Sequence, residues 1–289
     1  MKKLFFLAVA CCLMACQQNG PEQQSSNSTQ EQTKQTKSIT FNIAAFSVST
    51  QAMAPSGLRK APILDDQDGQ ALTDLYIFEG STQLAHQTSD AADFGTLTLT
   101  LDYGSHNLAF IATRSTGVTI SNGILHATSV RPTFGTRQTI TVGDSSDEFD
   151  ITISRITGQL IITMQDAIPA DADHLIVQVA QKYDDLTIAT FAGANPYAFS
   201  QSVNITSKVG MSNQTWTLNI FAAVYGEQYT TDVTLSVYKS DDSLIAQHVI
   251  HNVPLVTNTK TILSGEMFGG QNFTITADHT WEDSLNPAW

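Results

Sequence analysis

The chain has 289 residues, 42% of them hydrophobic and 14% charged, with 27 acidic side chains against 14 basic ones. Its formal net charge of −13 disfavours nucleic acid and anionic lipid headgroups as partners, because both are negatively charged. A chain of this length is expected to form two domains of ordinary size.

An export signal is the first predicted element. Lys2 and Lys3 precede an apolar run from Leu4 to Ala15, and Cys16 follows directly. This run is shorter than the roughly 20 residues that a membrane-spanning helix needs. Residues 1–15 are therefore predicted to be a cleaved lipoprotein signal peptide, after which Cys16 carries acyl chains such as palmitate and anchors the protein to a membrane. An ordinary secretory signal, with Cys16 incidental, is the alternative.

A polar segment follows the cysteine. Residues 17–37 are mainly Gln, Ser, Thr, Asn and Glu, with one proline and no large apolar residue. We expect residues 16–37 to form a disordered tether with a reach of roughly 25 Å. Because Cys16 is the only cysteine left after cleavage, the mature chain has no disulfide, thiolate metal site or cysteine nucleophile.

Beyond the tether the sequence has a period of two. Threonine and branched residues occupy alternate positions, and no amphipathic helical pattern of ten residues or more is present. This pattern predicts an all-β fold in which short strands form β-sandwiches. The predicted strands are Ile39–Ser49, Leu72–Glu79, Thr96–Tyr103, Leu108–Thr113, Ile151–Ser154, Gln159–Met164, Leu175–Val179, Trp216–Ala222, Val233–Tyr238, Leu244–Val249 and Phe273–Ala277.

The first predicted strand has a regular apolar face. Ile39, Phe41 and Ile43 alternate with polar residues, and a change of phase near Ala44 predicts a bulge. The loop between this strand and Leu72 contains proline, glycine and three aspartates. We expect that loop to be exposed.

A domain boundary is predicted in the middle of the chain. The segment from Gly143 to Asp150 is acidic and typical of a turn. It divides the chain into an N-terminal sandwich domain at residues 38–148 and a C-terminal one at residues 149–289, with an uncertainty of about ten residues.

Candidate metal ligands are scattered. His248 and His251 are the closest histidine pair, but their spacing places them on opposite faces of a strand. The acidic stretch that contains Asp66 resembles the start of a calcium loop, yet position 12 of such a loop is Ile77 and not glutamate. An acidic turn is the favoured interpretation, a weak cation site is the alternative, and no metal or cofactor is expected.

Catalytic motifs are missing from the sequence. It contains no nucleophile elbow, zinc-binding helix or phosphate loop. Asp184–Asp185 and Asp241–Asp242 fall in predicted turns, where solvated aspartates are common. A glycan hydrolase would need two carboxylates about 5 to 10 Å apart, and nothing in the sequence marks such a pair. We therefore expect a protein that is not an enzyme.

Aromatic residues support a different hypothesis. Trp216 lies within an alternating strand and Trp289 ends the chain. Core packing is the favoured interpretation for each of them, whereas an exposed aromatic patch would stack on sugar rings. The alternative function is thus a monomeric outer-membrane surface lipoprotein that binds glycan through exposed aromatics.

A family resemblance is carried by segments in a fixed order along the chain. They are the lipobox and tether, the first strand, the Arg-bearing loop, Leu72–Phe78, Ile153–Leu160, Asp166–Ala170, Val253–Asn258 and the closing strand Phe273–Trp281. With these segments the chain resembles the fimbrillin superfamily, the lipoprotein subunits of type V pili on Gram-negative anaerobes, and is most similar to the minor, anchor-type subunits. The resemblance implies two tandem transthyretin-like β-sandwich domains.

The resemblance also implies a mechanism. A trypsin-like protease cuts after a basic residue in the loop behind the first strand, and a strand from a neighbouring fimbrial subunit fills the vacated groove. Arg59, followed by Lys60, occupies that loop here. A basic pair that is only solvated charge is the alternative. Anchor subunits of the family keep both lipid and strand, so the expected location is the outer membrane or the fimbrium at the cell surface, with a role in cell adhesion and a surface ligand as a further partner.

Two serines match a modification signal of such bacteria. Ser243 and Ser284 each follow an aspartate and precede a leucine, which resembles the Asp-Ser/Thr-aliphatic signal for O-glycosylation. Both serines are candidate modification sites.

Overall fold

The structure is a computed structural model that describes residues 35–45, 70–145, 147–222, 228–270 and 272–279. The described residues form strands, turns and one short 3-10 helix, Thr206–Lys208. The predicted all-β sandwich fold is therefore confirmed. Within these ranges, no helix has the length and apolar character required to cross a membrane.

Nineteen strands are present in the described residues. They are β1 (Thr36–Ala45), β2 (Asp74–Glu79), β3 (Thr82–Thr88), β4 (Thr96–Asp102), β5 (Gly104–Thr113), β6 (Thr119–Ser121), β7 (Ile124–His126), β8 (Thr133–Val142), β9 (Glu148–Arg155), β10 (Thr157–Met164), β11 (His174–Lys182), β12 (Asp185–Thr187), β13 (Ala192–Ala194), β14 (Tyr197–Asn204), β15 (Gln214–Phe221), β16 (Gln228–Tyr238), β17 (Leu244–Val256), β18 (Lys260–Gly265) and β19 (Thr274–Asp278).

The first half of the chain forms a sandwich. One layer has the strand order β3-β2-β5-β8 and the other has the order β9-β1-β4. The two layers are joined where β8 pairs with β9 at only two positions, Phe134 with Arg155 and Gly135 with Ser154. Apolar side chains from both layers interlock in one buried cluster, which includes Ile39, Leu75, Phe110, Phe134 and Ile151.

The second half forms a sandwich of two four-stranded sheets. Their strand orders are β15-β10-β18-β19 and β14-β11-β16-β17. The buried cluster between them includes Leu160, Leu175, Ile220, Leu235 and Leu263.

The strand pairing of the first half is repeated in the second. β1 is antiparallel to β4 and parallel to β9, and β10 is likewise antiparallel to β15 and parallel to β18. β2 lies between β3 and β5 as β11 lies between β14 and β16, and β8 follows β5 as β17 follows β16. β19 has no counterpart among the described strands of the first half.

A small sheet and a third apolar cluster connect the two halves. The sheet has the order β13-β12-β7-β6, and its central pair joins Leu125 of the first half to Leu186 of the second. The cluster includes Phe78 and Ile111 from the first half and Phe221 from the second. The two sandwiches are therefore packed together through buried apolar side chains.

Each of the eleven predicted strands overlaps an observed one over at least part of its length. Eight strands were missed, namely β3, β6, β7, β8, β12, β13, β14 and β18. Most are three residues long or lie at a sheet edge. β14, for example, is largely exposed, and Gln201 interrupts the apolar alternation between Phe199 and Val203, which pack on the core, so the signal of a strand in sequence is weak. The phase change near Ala44 concerns residues 46–49, which lie outside the described residues.

Candidate functional site

The first strand lies in the middle of its layer. β1 pairs with β4 from Thr36 to Asn42 and with β9 from Thr40 to Ala45. Between Thr40 and Asn42 both of its edges are therefore hydrogen-bonded. The earliest strand in the chain thus completes a layer whose other two strands come from much later in the sequence.

The inner face of β1 is an apolar stripe. Ile39, Phe41 and Ile43 are each 0% exposed. The Phe41 ring lies 5.4 Å from Phe110 and 5.9 Å from Phe149, measured between ring centroids. Burying each such side chain stabilises the fold by about 1.5–3 kcal/mol, which gives roughly 5–9 kcal/mol for the stripe. The sequence prediction of this face is confirmed.

A lysine fixes the beginning of β1. The Lys37 ammonium lies 3.2 Å from Gly143 O, 2.5 Å from Asp144 O and 2.8 Å from Asp147 Oδ1. An ammonium has three donors, so all three are used by one turn. Tyr103 also contacts this turn, since its hydroxyl donates to Asp144 Oδ1 at 2.9 Å. That bond raises the pKa of Tyr103.

An amide fixes the outer face of β1. Asn42 Nδ2 donates to Glu148 Oε1 at 2.5 Å and to Asp150 Oδ1 at 3.1 Å. The side-chain oxygen of Asn42, Oδ1, accepts a hydrogen bond of 3.4 Å from the Thr96 hydroxyl. One side chain therefore connects β1 to both of its neighbours, β9 and β4.

Four of the predicted site residues lie outside the described residues. These are Cys16, Arg59, Lys60 and Ser284. Ser243 is described, and it is exposed in the turn between β16 and β17. Its backbone N–H and its hydroxyl both donate to Asp241 Oδ1, at 3.0 and 2.6 Å.

The expectation that Asp184 is solvated is wrong. Asp184 is only 8% exposed and Lys182 3%. Asp184 accepts hydrogen bonds from the Lys182 ammonium and from the Tyr197 hydroxyl. Lys182 also lies over the Phe199 ring, 4.8 Å from its centroid. Burial lowers the pKa of Lys182 and, together with Asp184, raises the pKa of Tyr197. Asp184 is therefore part of a buried ion pair.

A buried histidine was also missed. His106 Nδ1 lies 2.9 Å from Glu79 Oε1, and Nε2 lies 2.8 Å from Asp102 O. Because a carboxylate and a carbonyl both accept, this geometry favours an imidazolium that donates from both nitrogens. Burial lowers the pKa of His106, but the bonds to the Asp102 carbonyl and to Glu79 more than offset it, so the pKa is raised. No motif in the sequence marks this contact.

The described residues do not assemble a metal centre. Within the described ranges, no group of three His, Cys, Asp or Glu side chains is placed to hold a metal ion. His248 Nε2 contacts Met267 O at 3.2 Å, whereas His251 pairs with Asp232 at 2.8 Å, so the two histidines point to different partners. The acidic stretch around Asp66 lies outside the described residues.

Exposed aromatic side chains are sparse in the part of the chain that the structure describes. Trp216 is half-buried and packs on the core cluster of the second half. Tyr197, at 41% exposure, is the one aromatic residue of the described ranges among the large exposed hydrophobics. Trp289 lies outside the described residues. No aromatic platform for sugar is formed by the residues described.

No protein-family model and no curated protein matches the chain. The solved structures that it resembles include fimbrial proteins. The fimbrial anchor protein Mfa2 from Porphyromonas gingivalis is 11% identical with a TM-score of 0.46, covering 83% of this chain and 95% of that one. A fimbrial assembly protein from Parabacteroides distasonis is 9% identical with a TM-score of 0.42, covering 85% of this chain and 100% of that one.

Further matches are Bacteroides proteins named for a suggested role in adhesion, with TM-scores from 0.42 to 0.49. Because each of these TM-scores is below 0.5, the likeness carries no argument about function or mechanism. The functional argument therefore rests on the contacts of β1.

Proposed function

We propose that this protein is a structural subunit or an anchor lipoprotein of a fimbrium, assembled by β-strand complementation and supporting cell adhesion. The observation that carries the proposal is the placement of β1. A terminal strand with a fully buried apolar face lies between two strands that come from elsewhere in the chain. Such a strand is the element that another chain can supply, because main-chain hydrogen bonds and alternating side chains are easily matched.

Cleavage behind β1 is the proposed trigger. The basic pair at Arg59 and Lys60 follows β1 in the chain, and a cut there leaves β1 attached only by its own contacts. The apolar stripe alone contributes roughly 5–9 kcal/mol, and hydrogen bonds on two edges add to it. Cleavage alone therefore leaves β1 in place, and its release requires a competing strand.

The remaining parts of the proposal concern the body and its attachment. The repeated pairing of residues 36–155 and 157–265 supports two tandem transthyretin-like sandwiches that meet close to the predicted boundary. Cys16 carries the lipid, and the segment between it and β1 separates the body from the outer membrane. The predicted limit of the tether at residue 37 is two residues too far, because Thr36 and Lys37 belong to β1. Ser243 is exposed in a turn, which suits its proposed O-glycosylation, and Ser284 is the second candidate.

The N-terminus of the protein on cells tests this function. Filaments sheared from cells and washed outer membranes are analysed separately by mass spectrometry. A filament-borne chain that begins at Lys60 or Ala61 indicates a polymerising subunit, whereas an acylated Cys16 in membranes that co-purifies with pilin indicates an anchor. An acylated chain that is absent from filaments and co-purifies with no pilin would contradict the proposal. A chain with Arg59→Gln and Lys60→Gln serves as the uncleavable control.

A further inference from the structure

The groove that holds β1 has an acidic rim. Asp144, Asp147, Glu148 and Asp150 lie in one short stretch that borders β1. Two side chains of β1 contact this rim, the ammonium of Lys37 and the amide of Asn42. The rim therefore contacts donors of two kinds, at two fixed positions.

The lysine site has the geometry of an ammonium cage. Two backbone carbonyls, of Gly143 and Asp144, and one carboxylate oxygen of Asp147 converge on the single nitrogen of Lys37. This arrangement suits a compact ammonium with three donors better than a planar guanidinium, which presents its donors in a fork. The Lys37 side chain is 19% exposed, so the interaction is partly desolvated.

The amide site lies on the opposite face of the strand. Asn42 uses its two N–H donors on two different carboxylates, Glu148 and Asp150. Because side chains alternate along a strand, Lys37 lies on the same side as the apolar stripe and Asn42 on the other side. The groove therefore fits a strand that begins with a lysine and continues with three apolar residues at alternate positions. An amide side chain lies between the second and third of these apolar residues and points to the other face.

We propose, building on strand complementation as the function, that the vacated groove selects its complementing strand by a lysine at the position of Lys37, followed by the apolar and amide pattern of β1. The strand lies parallel to β9 and antiparallel to β4, as β1 does. Its lysine enters the cage formed by Gly143, Asp144 and Asp147, and its amide bridges the two carboxylates of β9.

The end of this chain does not fit the pattern. Residues 272–289 contain no lysine or arginine and include Asp278, Glu282 and Asp283. A strand from this region of a second copy would bring carboxylates to an acidic rim, and like charges at close range disfavour the wrong partner. The rim therefore disfavours residues 272–289 of another copy as the complementing strand.

Competition between strands during refolding tests the inference. The mature protein is cut behind β1, unfolded in urea and diluted with a tenfold excess of a labelled peptide of residues 35–45. The native peptide is expected to replace most of the released strand. Peptides with Lys37→Gln are expected to incorporate about tenfold less, which corresponds to about 1.4 kcal/mol, because the three contacts of the ammonium are lost. Lys37→Arg is expected to restore only part of the loss.

Three further peptides separate the possible failures. Phe41→Ser tests the apolar stripe, Lys37→Glu tests repulsion by the rim, and a peptide of residues 272–279 tests the end of the chain. Equal incorporation of the native and Lys37→Gln peptides would refute the lysine selection while leaving strand complementation intact. Failure of the native peptide would refute strand complementation itself, and this inference with it.

Hydrogen exchange of the uncut protein gives a second test that needs no refolding. Lys37→Gln is expected to speed amide exchange of β1 by about tenfold, because the strand opens more often when its cage is empty. Lys208→Gln is the matched control, since Lys208 is exposed in the short 3-10 helix. If the amides of β1 exchanged at the same rate in Lys37→Gln as in the wild type, the contacts of Lys37 would not hold the strand and the inference would be refuted.

Discussion

Replacing Phe41 with alanine tests whether β1 holds the first sandwich together. Phe41 is 0% exposed and its ring contacts those of Phe110 and Phe149. Truncating a fully buried phenylalanine costs about 3–5 kcal/mol. This range already includes aromatic contacts, which contribute about 0.5–1.5 kcal/mol per pair beyond buried area. Because Phe41 loses two such pairs, we expect Phe41→Ala to cost about 4–5 kcal/mol, in the upper part of the range.

This loss is large compared with the stability of an ordinary domain, which is about 5–15 kcal/mol. Scanning calorimetry is the appropriate assay, because two packed sandwiches need not unfold in one step. We expect the transition of the first sandwich to move down by about 10 °C or more, at about 2–4 °C for each kcal/mol. The second sandwich should retain its own transition.

Val249→Ala is the matched control for this experiment. Val249 is 48% exposed on β17, so losing its methyl groups should change the free energy of unfolding by no more than about 0.5 kcal/mol. If Phe41→Ala lowered that free energy by less than about 1 kcal/mol, β1 would not occupy the layer in solution, and the strand-complementation proposal would lose its basis.

Three further predictions concern buried polar contacts. His106→Gln should remove part of the pH dependence of the free energy of unfolding. Because the pKa of His106 is raised in the folded state, the protonated imidazole stabilises the fold by about 1 kcal/mol below about pH 6.5, and this stabilisation is lost as the pH rises through the folded-state pKa. Urea unfolding at pH 5.5 and 8.5 measures the difference. Asp166→Ala should cost about 2–3 kcal/mol and speed amide exchange of residues 267–269, whose three backbone N–H groups donate to this carboxylate at 2.6–3.1 Å. Lys182→Met should cost about 3–5 kcal/mol in urea unfolding, because it leaves the Asp184 carboxylate buried without its cation.

Each of these has an outcome that would contradict it. The same difference in stability between pH 5.5 and 8.5 in the wild type and in His106→Gln would show that this imidazole is not the titrating group. Asp166→Asn keeps an oxygen acceptor, so it should lose less than Asp166→Ala, and equal losses would argue against the backbone clamp. Adding Asp184→Leu to Lys182→Met should recover most of the loss, whereas an additive loss would argue against their pairing.

Sequence reasoning predicted the parts of the fold that alternation makes visible. The stripe of Ile39, Phe41 and Ile43 is periodic, and the structure buries it completely. The contacts of Lys37 and Asn42 with the 143–150 segment could not be predicted, because their partners lie more than a hundred residues away and depend on which strands become neighbours. Periodicity defines a face, but it does not specify the pairing.

Exposed and very short strands were missed for a related reason. β14 is an edge strand with mostly exposed side chains, and only Phe199 and Val203 pack on the core, so its apolar alternation is too short to predict a strand. Asp184 was misjudged because a local Asp-Asp pair is typical of turns, whereas its burial depends on Lys182 and Tyr197. Local sequence statistics carry no information about such a network.

The repeat of strand pairing has a consequence for the geometry of assembly. β10 holds in the second half the place that β1 holds in the first, but only Ile156 separates it from β9, and the chain continues on both sides of it. A single backbone cut separates β1 covalently from the rest of the body, whereas separating β10 would take two cuts. If subunits assemble by the proposed strand complementation, each molecule accepts a strand at only one of its two equivalent positions, and subunits that each accept one strand and donate one form an unbranched chain with a direction.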